Sequence, residues 1–120
     1  MAHGDITHVE IPVGDMTRAS AFYSMLFGWE ISEMPGFEGY PMWQAPNGVS
    51  GGGLIARDGE FTQPVTYVEV DAIDATIAAT LAAGGSVAVE KQPITETSAS
   101  AVIVDPDGNH IGLFEGTVDA

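Results

Sequence analysis

Residues 6–31 read ITHVEIPVGDMTRASAFYSMLFGWEI, and the architecture can be worked out from this stretch. Ile6–Val13 alternates apolar residues with others, which predicts a strand. Asp15 follows as a helix N-cap. Behind it Met16, Ala19, Phe22, Tyr23 and Leu26 recur at helical spacing and predict one buried face. Gly28 ends that helix, and Trp29–Met34 reads as a second strand. Turns at Pro35-Gly36 and Pro46-Asn47-Gly48 set off further strands over Tyr40–Ala45 and Gly51–Ala56. The order is βαβββ.

The cycle then repeats. Asp58–Pro64 is a connecting loop, and Val65–Val70 reads as a strand. Asp71 or Asp74 can cap a helix in which Ile73, Ile77 and Leu81 share a face, and Gly84-Gly85 stops it. Ser86–Glu90 is a strand, the segment through Pro93 a loop, and Ser98–Val104 a strand rich in β-branched residues. Asp105-Pro106-Asp107-Gly108 is a tight turn before the last strand, Asn109–Glu115. His8–Ser24 lies over Val65–Leu81, with Val13 on Val70, Met16 on Ile73 and the Gly28 stop on Gly85. Duplication of a supersecondary unit organises the chain. Two helices among so many strands exclude a doubly wound α/β sheet. The prediction is one α+β domain over residues 1–120, with βαβββ modules at 5–57 and 64–116.

Composition bounds what the domain does. At 120 residues, 45% of them apolar, it has enough material for a core. No apolar run approaches the ~20 residues that span a bilayer. The opening Met1-Ala2-His3-Gly4-Asp5 has no basic region and no apolar stretch after it, so no signal peptide is expected. Absence of cysteine excludes disulfides, thiolate nucleophiles and zinc-thiolate sites, and the expected location is the cytoplasm. Seventeen acidic residues face three basic ones, Arg18, Arg57 and Lys91, for a net charge of −14. Such a surface repels nucleic acids and anionic membranes. It reads either as a solubility feature or as adaptation to high salt.

The quoted opening resembles the glyoxalase/bleomycin-resistance/dioxygenase (vicinal oxygen chelate) superfamily. The resemblance is carried by His8 near the start of a strand, Val13-Gly14-Asp15, Phe22-Tyr23 and Phe27-Gly28-Trp29. VEVDAIDATIAATLAAGGSV (68–87) resembles its second-module strand and helix, and VIVDPDGNHIGLFE (102–115) its closing hairpin. The resemblance implies that the two modules form an open, barrel-like mixed sheet around a cavity, and that chains commonly pair as homodimers. Metal-dependent members ligate one divalent ion from four positions. Carried over, these are His8, a position within Gly51-Gly52-Gly53, Val65 and Gly112. Only His8 offers a donor, too few for such an ion, so no metal and no other cofactor is expected. A shifted set pairing His8 with His110 and a glutamate is the one alternative route to a divalent metal.

Strand alternation places His8 with Glu10, Tyr67 with Val65 and Glu69, and Gly112 with His110 and Phe114. The pocket candidates are therefore His8, Glu10, Tyr67, Glu69, His110 and Phe114, with Trp43 or Met42 as apolar wall. His8 can act as a base or a hydrogen-bonding group, or be a remnant with a local partner. Glu10 and Glu69 can form a carboxylate pair with one raised pKa, or both be solvated. No G-x-S-x-G nucleophile motif is present, and neither lysine nor helix follows the triple glycine as a phosphate loop requires. The functional expectation is metal-independent binding of a neutral or cationic small molecule. The alternative is a glyoxalase-like lyase, isomerase or dioxygenase using a non-standard metal site or metal-free acid/base chemistry.

Overall fold

The computed structural model describes residues 2–117. In chain order these form β1 (Ile6–Val13), α1 (Met16–Phe27), β2 (Glu30–Ser32), β3 (Met42–Gln44), β4 (Gly51–Ala56), β5 (Val65–Glu69), α2 (Ile73–Ala82), β6 (Ser86–Thr95), β7 (Ser98–Val104) and β8 (His110–Gly116). The element order is βαβββ twice, as expected. Two compact units emerge, one over His8–Val65 and the other joining residues 2–7 to Thr66 onward.

In the first unit the strands lie in the order β2-β3-β4-β1. β1 and β4 are parallel, and the other two pairings are antiparallel. Asp15 caps α1 as its type predicts: its Oδ1 accepts the Arg18 N–H at 2.8 Å. Gly28 closes the helix in the left-handed region, at φ 70°. α1 packs on β2 and β4. Its expected buried face is only partly covered. Phe22 is 50% exposed and Leu26 53%, while Met16, Ala19 and Tyr23 are half-buried. What lies beneath is an aromatic layer: Tyr23 stacks on Trp29, and Trp29 on Trp43, with ring centroids 3.8 Å apart in the second pair.

The second unit repeats the pattern in the order β5-β8-β7-β6, with β5 and β8 parallel and the rest antiparallel. α2 lies on β6, β7 and β8. Its core is Val70, Ile73, Ala99, Ala101 and Leu113, with Val68, Ile77 and Ile103 packed against them. Residues 2–7 join this unit through backbone bonds: Gly4 N–H to Glu69 O at 2.7 Å and Glu69 N–H to Asp5 O at 2.8 Å.

Three local expectations are corrected. The strands expected over Trp29–Met34 and Tyr40–Ala45 are shorter, Glu30–Ser32 and Met42–Gln44, because each pairs only over those three residues, and Tyr40 lies in the loop before the second. Neither Asp71 nor Asp74 caps α2. Its N-cap residue is Ala72, and the Ile73 N–H is accepted at 2.6 Å by Glu115 Oε1 from β8. And β6 does not end at Glu90 but runs through Pro93 to Thr95, with Pro93 opposite Ala99. β6 ends the strand order of its unit, where a missing N–H costs no ladder bond.

Candidate functional site

The parallel register of β1 and β4 sets Val9 beside Gly52 and Glu10 beside Gly53. Side chains alternate along a strand, so His8, Glu10 and Pro12 share one side with Gly53, while Val9 and Ile11 share the other with Gly52. Gly53 also pairs with Met42, and Gly52 with Trp43. The wall residue on the His8 side is therefore Met42. Trp43 belongs to the opposite side, buried under α1, where it stacks on Trp29 and its Nε1–H donates to Val9 O at 3.2 Å.

On the His8 side a residue that the sequence did not single out organises the chemistry. Tyr40 enters from the turn before β3 and lays its ring over Gly53, where any Cβ would come closer than 3.0 Å to it. The Tyr40 hydroxyl donates to Glu10 Oε2 at 2.7 Å, and His8 Nε2 lies 2.6 Å from the same hydroxyl oxygen. The phenol has one proton, and it goes to Glu10. The bond with His8 therefore requires Nε2 to carry a hydrogen and donate. That tautomer makes Nδ1 the acceptor atom of the imidazole. Burial lowers the His8 pKa below its usual 6.5, against an opposing pull from the Glu10 carboxylate, so the ring is neutral at pH 7. The signal for Tyr40 in the sequence is indirect: a strand glycine with ordinary backbone needs something to fill the space above it.

In the second unit Tyr67 stands opposite Gly112, Glu69 opposite Phe114 and Val104 opposite His110. The Tyr67 ring covers Gly112, again closer than 3.0 Å to any Cβ placed there, and Tyr67 is 9% exposed. Phe114 and His110 are half-buried, and Phe114 pairs with Ser100 across β7. Glu69 has a setting of its own. Its pKa is raised by desolvation first, with Asp71 and Asp5 adding like charge. Glu10, by contrast, accepts the Tyr40 hydroxyl.

Tested as a metal site, the four family positions do not fit. Val65 is aliphatic and 2% exposed, and Gly51–Gly53 and Gly112 carry no side-chain donor, which leaves His8 as one donor where three or four are needed. Among the described residues no three His, Asp or Glu side chains gather as a cation would require. What the site does offer is a set of short hydrogen bonds that joins Glu10, Tyr40 and a neutral His8 imidazole. Such a set can accept a hydrogen bond, or a proton, from an organic molecule.

Comparison with known proteins agrees with this architecture. Residues 5–46 match the family model "Bleomycin resistance protein-like N-terminal". A Didymella fabae "Glyoxylase-like domain-containing protein" is 32% identical over 91 residues, covering 69% of this chain and 70% of that one. "Putative glyoxylase CFP32" of Mycobacterium tuberculosis is 28% identical over 114 residues, 89% of this chain, which spans only 44% of that protein's length. Among solved structures, the Bacillus halodurans hypothetical protein BH1468 superposes with TM-score 0.69 at 16% identity, covering 98% of this chain and 97% of that one. Methylmalonyl-CoA epimerase from Mycobacterium tuberculosis does so with 0.67 at 21%, covering 96% and 89%. A superfamily member from Vibrio splendidus 12B01 gives 0.61 at 16%, covering 90% and 96%. With its duplicated βαβββ order and these relatives, the chain belongs to the glyoxalase/bleomycin-resistance/dioxygenase superfamily.

Proposed function

We propose that this protein binds a small organic molecule without a metal, using the Glu10–Tyr40–His8 line as its polar anchor. The observation that carries the reading is the pair of short hydrogen bonds on the Tyr40 hydroxyl, which fix a neutral imidazole on the side of β1 and β4 that Met42 shares and that the Tyr40 ring covers at Gly53. Aromatic ring faces and a thioether beside a few oriented polar atoms suit an uncharged or cationic heteroaromatic ligand. A net charge of −14 favours a cation over an anion. The test is a thermal-shift screen of neutral and cationic heteroaromatic compounds, run in chelator. Saturable stabilisation by a hit, lost in His8→Ala and in Tyr40→Phe, supports the reading. A blank screen, or hits indifferent to both substitutions, refutes it.

A second reading is metal-free proton transfer, with the neutral His8 imidazole as base, and the same hydrogen-bond line supports it. One structural neighbour is a methylmalonyl-CoA epimerase. Coenzyme A thioesters are polyanions and suit this surface poorly, with only Arg18, Arg57 and Lys91 to hold phosphate. A neutral carbon acid fits better. Loss of deuterium from a labelled screen hit, abolished by His8→Ala, separates this reading from simple binding.

We further infer a homodimer joined through α1. That helix exposes Phe22, Met25, Leu26 and Phe27 and carries a single charge, Arg18, in an otherwise strongly acidic chain. It is a surface on which a like-charged second copy can approach. Light scattering checks it: dimer mass for the unaltered chain and monomer mass for Leu26→Glu. No helix among the described residues is long and apolar enough to cross a membrane, and a cytoplasmic setting suits the cysteine-free composition.

A further inference from the structure

We propose that Tyr40 and Tyr67 are the residues that shut two of the family's metal positions, each locked to the glycine beneath it as a coupled pair. The inference deepens the metal-independent reading above and rests on it. Gly53 and Gly112 occupy equivalent places, each on the last strand of its unit and paired in parallel with the first strand, beside Glu10 and Tyr67 respectively. Neither glycine is there for its backbone. The positive-φ glycines of the chain are others, Gly28, Gly84 and Gly108 among them. The reason for glycine at 53 and 112 is space. A Cβ at Gly53 would collide with Cζ, Oη and Cε1 of Tyr40, and one at Gly112 with Cγ, Cδ2 and Cε2 of Tyr67. At Gly112 the contact begins at the root of the Tyr67 ring, which a small rotamer adjustment does not clear, and at Gly53 it is the far end of Tyr40, which can swing away only by giving up its hydrogen bonds to Glu10 and His8.

The two tyrosines reach their glycines by different routes. Tyr67 leans over from the position directly across the strand pair, whereas Tyr40 comes from the loop ahead of β3. Each unit thus fills the same place independently. In both, a metal-ligating side chain from the last strand would have to start where a ring already lies. At Gly53 the consequence is chemical as well as steric. Where a carboxylate from position 53 would present an anion to a cation, the Tyr40 hydroxyl presents a neutral group oriented by Glu10 and His8. Tyr40 is then the residue that selects an organic group hydrogen-bonded directly to protein, rather than one chelated through a cation.

The experiment is a pair of double-mutant cycles on the whole chain, Gly53→Ala with Tyr40→Ala and Gly112→Ala with Tyr67→Ala, read as thermal midpoints. The unaltered chain is titrated alongside with MnCl2, NiCl2 and ZnCl2. Each glycine substitution alone is expected to lower the midpoint by roughly 5–10 °C, or to prevent folding. In the tyrosine-truncated background the same substitution is expected to cost almost nothing, or to give folded protein where the single variant had none. The unaltered chain is expected to show no saturable shift with any of the three cations. Equal glycine costs in both backgrounds would overturn this inference and leave the ligand-binding reading standing. Saturable metal stabilisation of the unaltered chain would overturn both.

Discussion

Glu115 caps a helix far from it in sequence: its Oε1 accepts the Ile73 N–H at 2.6 Å, and its Oε2 lies 3.7 Å from Lys91 Nζ. One carboxylate on β8 thereby ties the start of α2, which has no cap of its own, to the strand on which the helix rests. Glu115→Ala is expected to lower unfolding free energy by about 1–2 kcal/mol, the usual cost of a lost cap. Glu115→Gln, which keeps an acceptor, should cost less than half of that. Urea unfolding of the two variants checks the order. Equal losses would mean that the charge facing Lys91, not the cap, is what counts.

His8 predicts a pH dependence with a definite sign. Its folded-state pKa is lowered, so between 6.5 and that lower value the unfolded chain binds a proton that the folded chain refuses. Stability therefore falls as pH drops below 6.5 and is unaffected by His8 above it. Comparing urea midpoints at about pH 7.5 and about pH 5.5 should show a drop in the unaltered chain and a smaller one in His8→Gln, whose side chain does not titrate. The same drop in both would rule out His8 as its source.

Thr7 Oγ1 is buried with no hydrogen-bond partner. Replacing an unsatisfied hydroxyl by a methyl group of the same shape removes a desolvation cost, so Thr7→Val is expected to stabilise by about 1 kcal/mol. A loss of stability would mean that the hydroxyl is bonded in solution.

The charge of −14 makes stability depend on salt. Raising NaCl from about 0.1 M to about 1 M shortens the screening length from ~10 Å to ~3 Å and relieves the repulsion among carboxylates. The thermal midpoint should rise by roughly 5 °C or more over that range. A flat or falling midpoint would show that these carboxylates are too widely spaced to matter.

What was legible in the sequence followed from local rules. Ile6–Val13, Gly51–Ala56 and Ser98–Val104 begin and end where alternation and turn residues put them, and Asp15 and Gly28 bracket α1 as their types demand. What was not legible depended on partners far along the chain. Pro93 argued for a loop, and only its place on an edge strand lets β6 continue through it. Asp71 and Asp74 are the local candidates for the α2 cap, while Glu115 supplies it from the other end of the unit. The segment Pro41-Met42-Trp43-Gln44 lacks the alternation that would tell its two sides apart, so the register with Gly52 and Gly53 was needed to put Met42 on the His8 side and Trp43 under α1. Of the candidate site, the family resemblance points to His8, and strand alternation from it gives Glu10. Tyr40, which joins them, heads the strand expected over Tyr40–Ala45 but lies in the loop before β3, where alternation does not say which way a side chain points.

The proposed binding site uses protein side chains and no cation. Elemental analysis of protein purified without chelator is the decisive check. Manganese, iron, nickel and zinc are all expected far below one equivalent per chain, in protein that still binds its screening hits. One equivalent of any of them, removed by chelator together with ligand binding, would show the site to be a metal site after all.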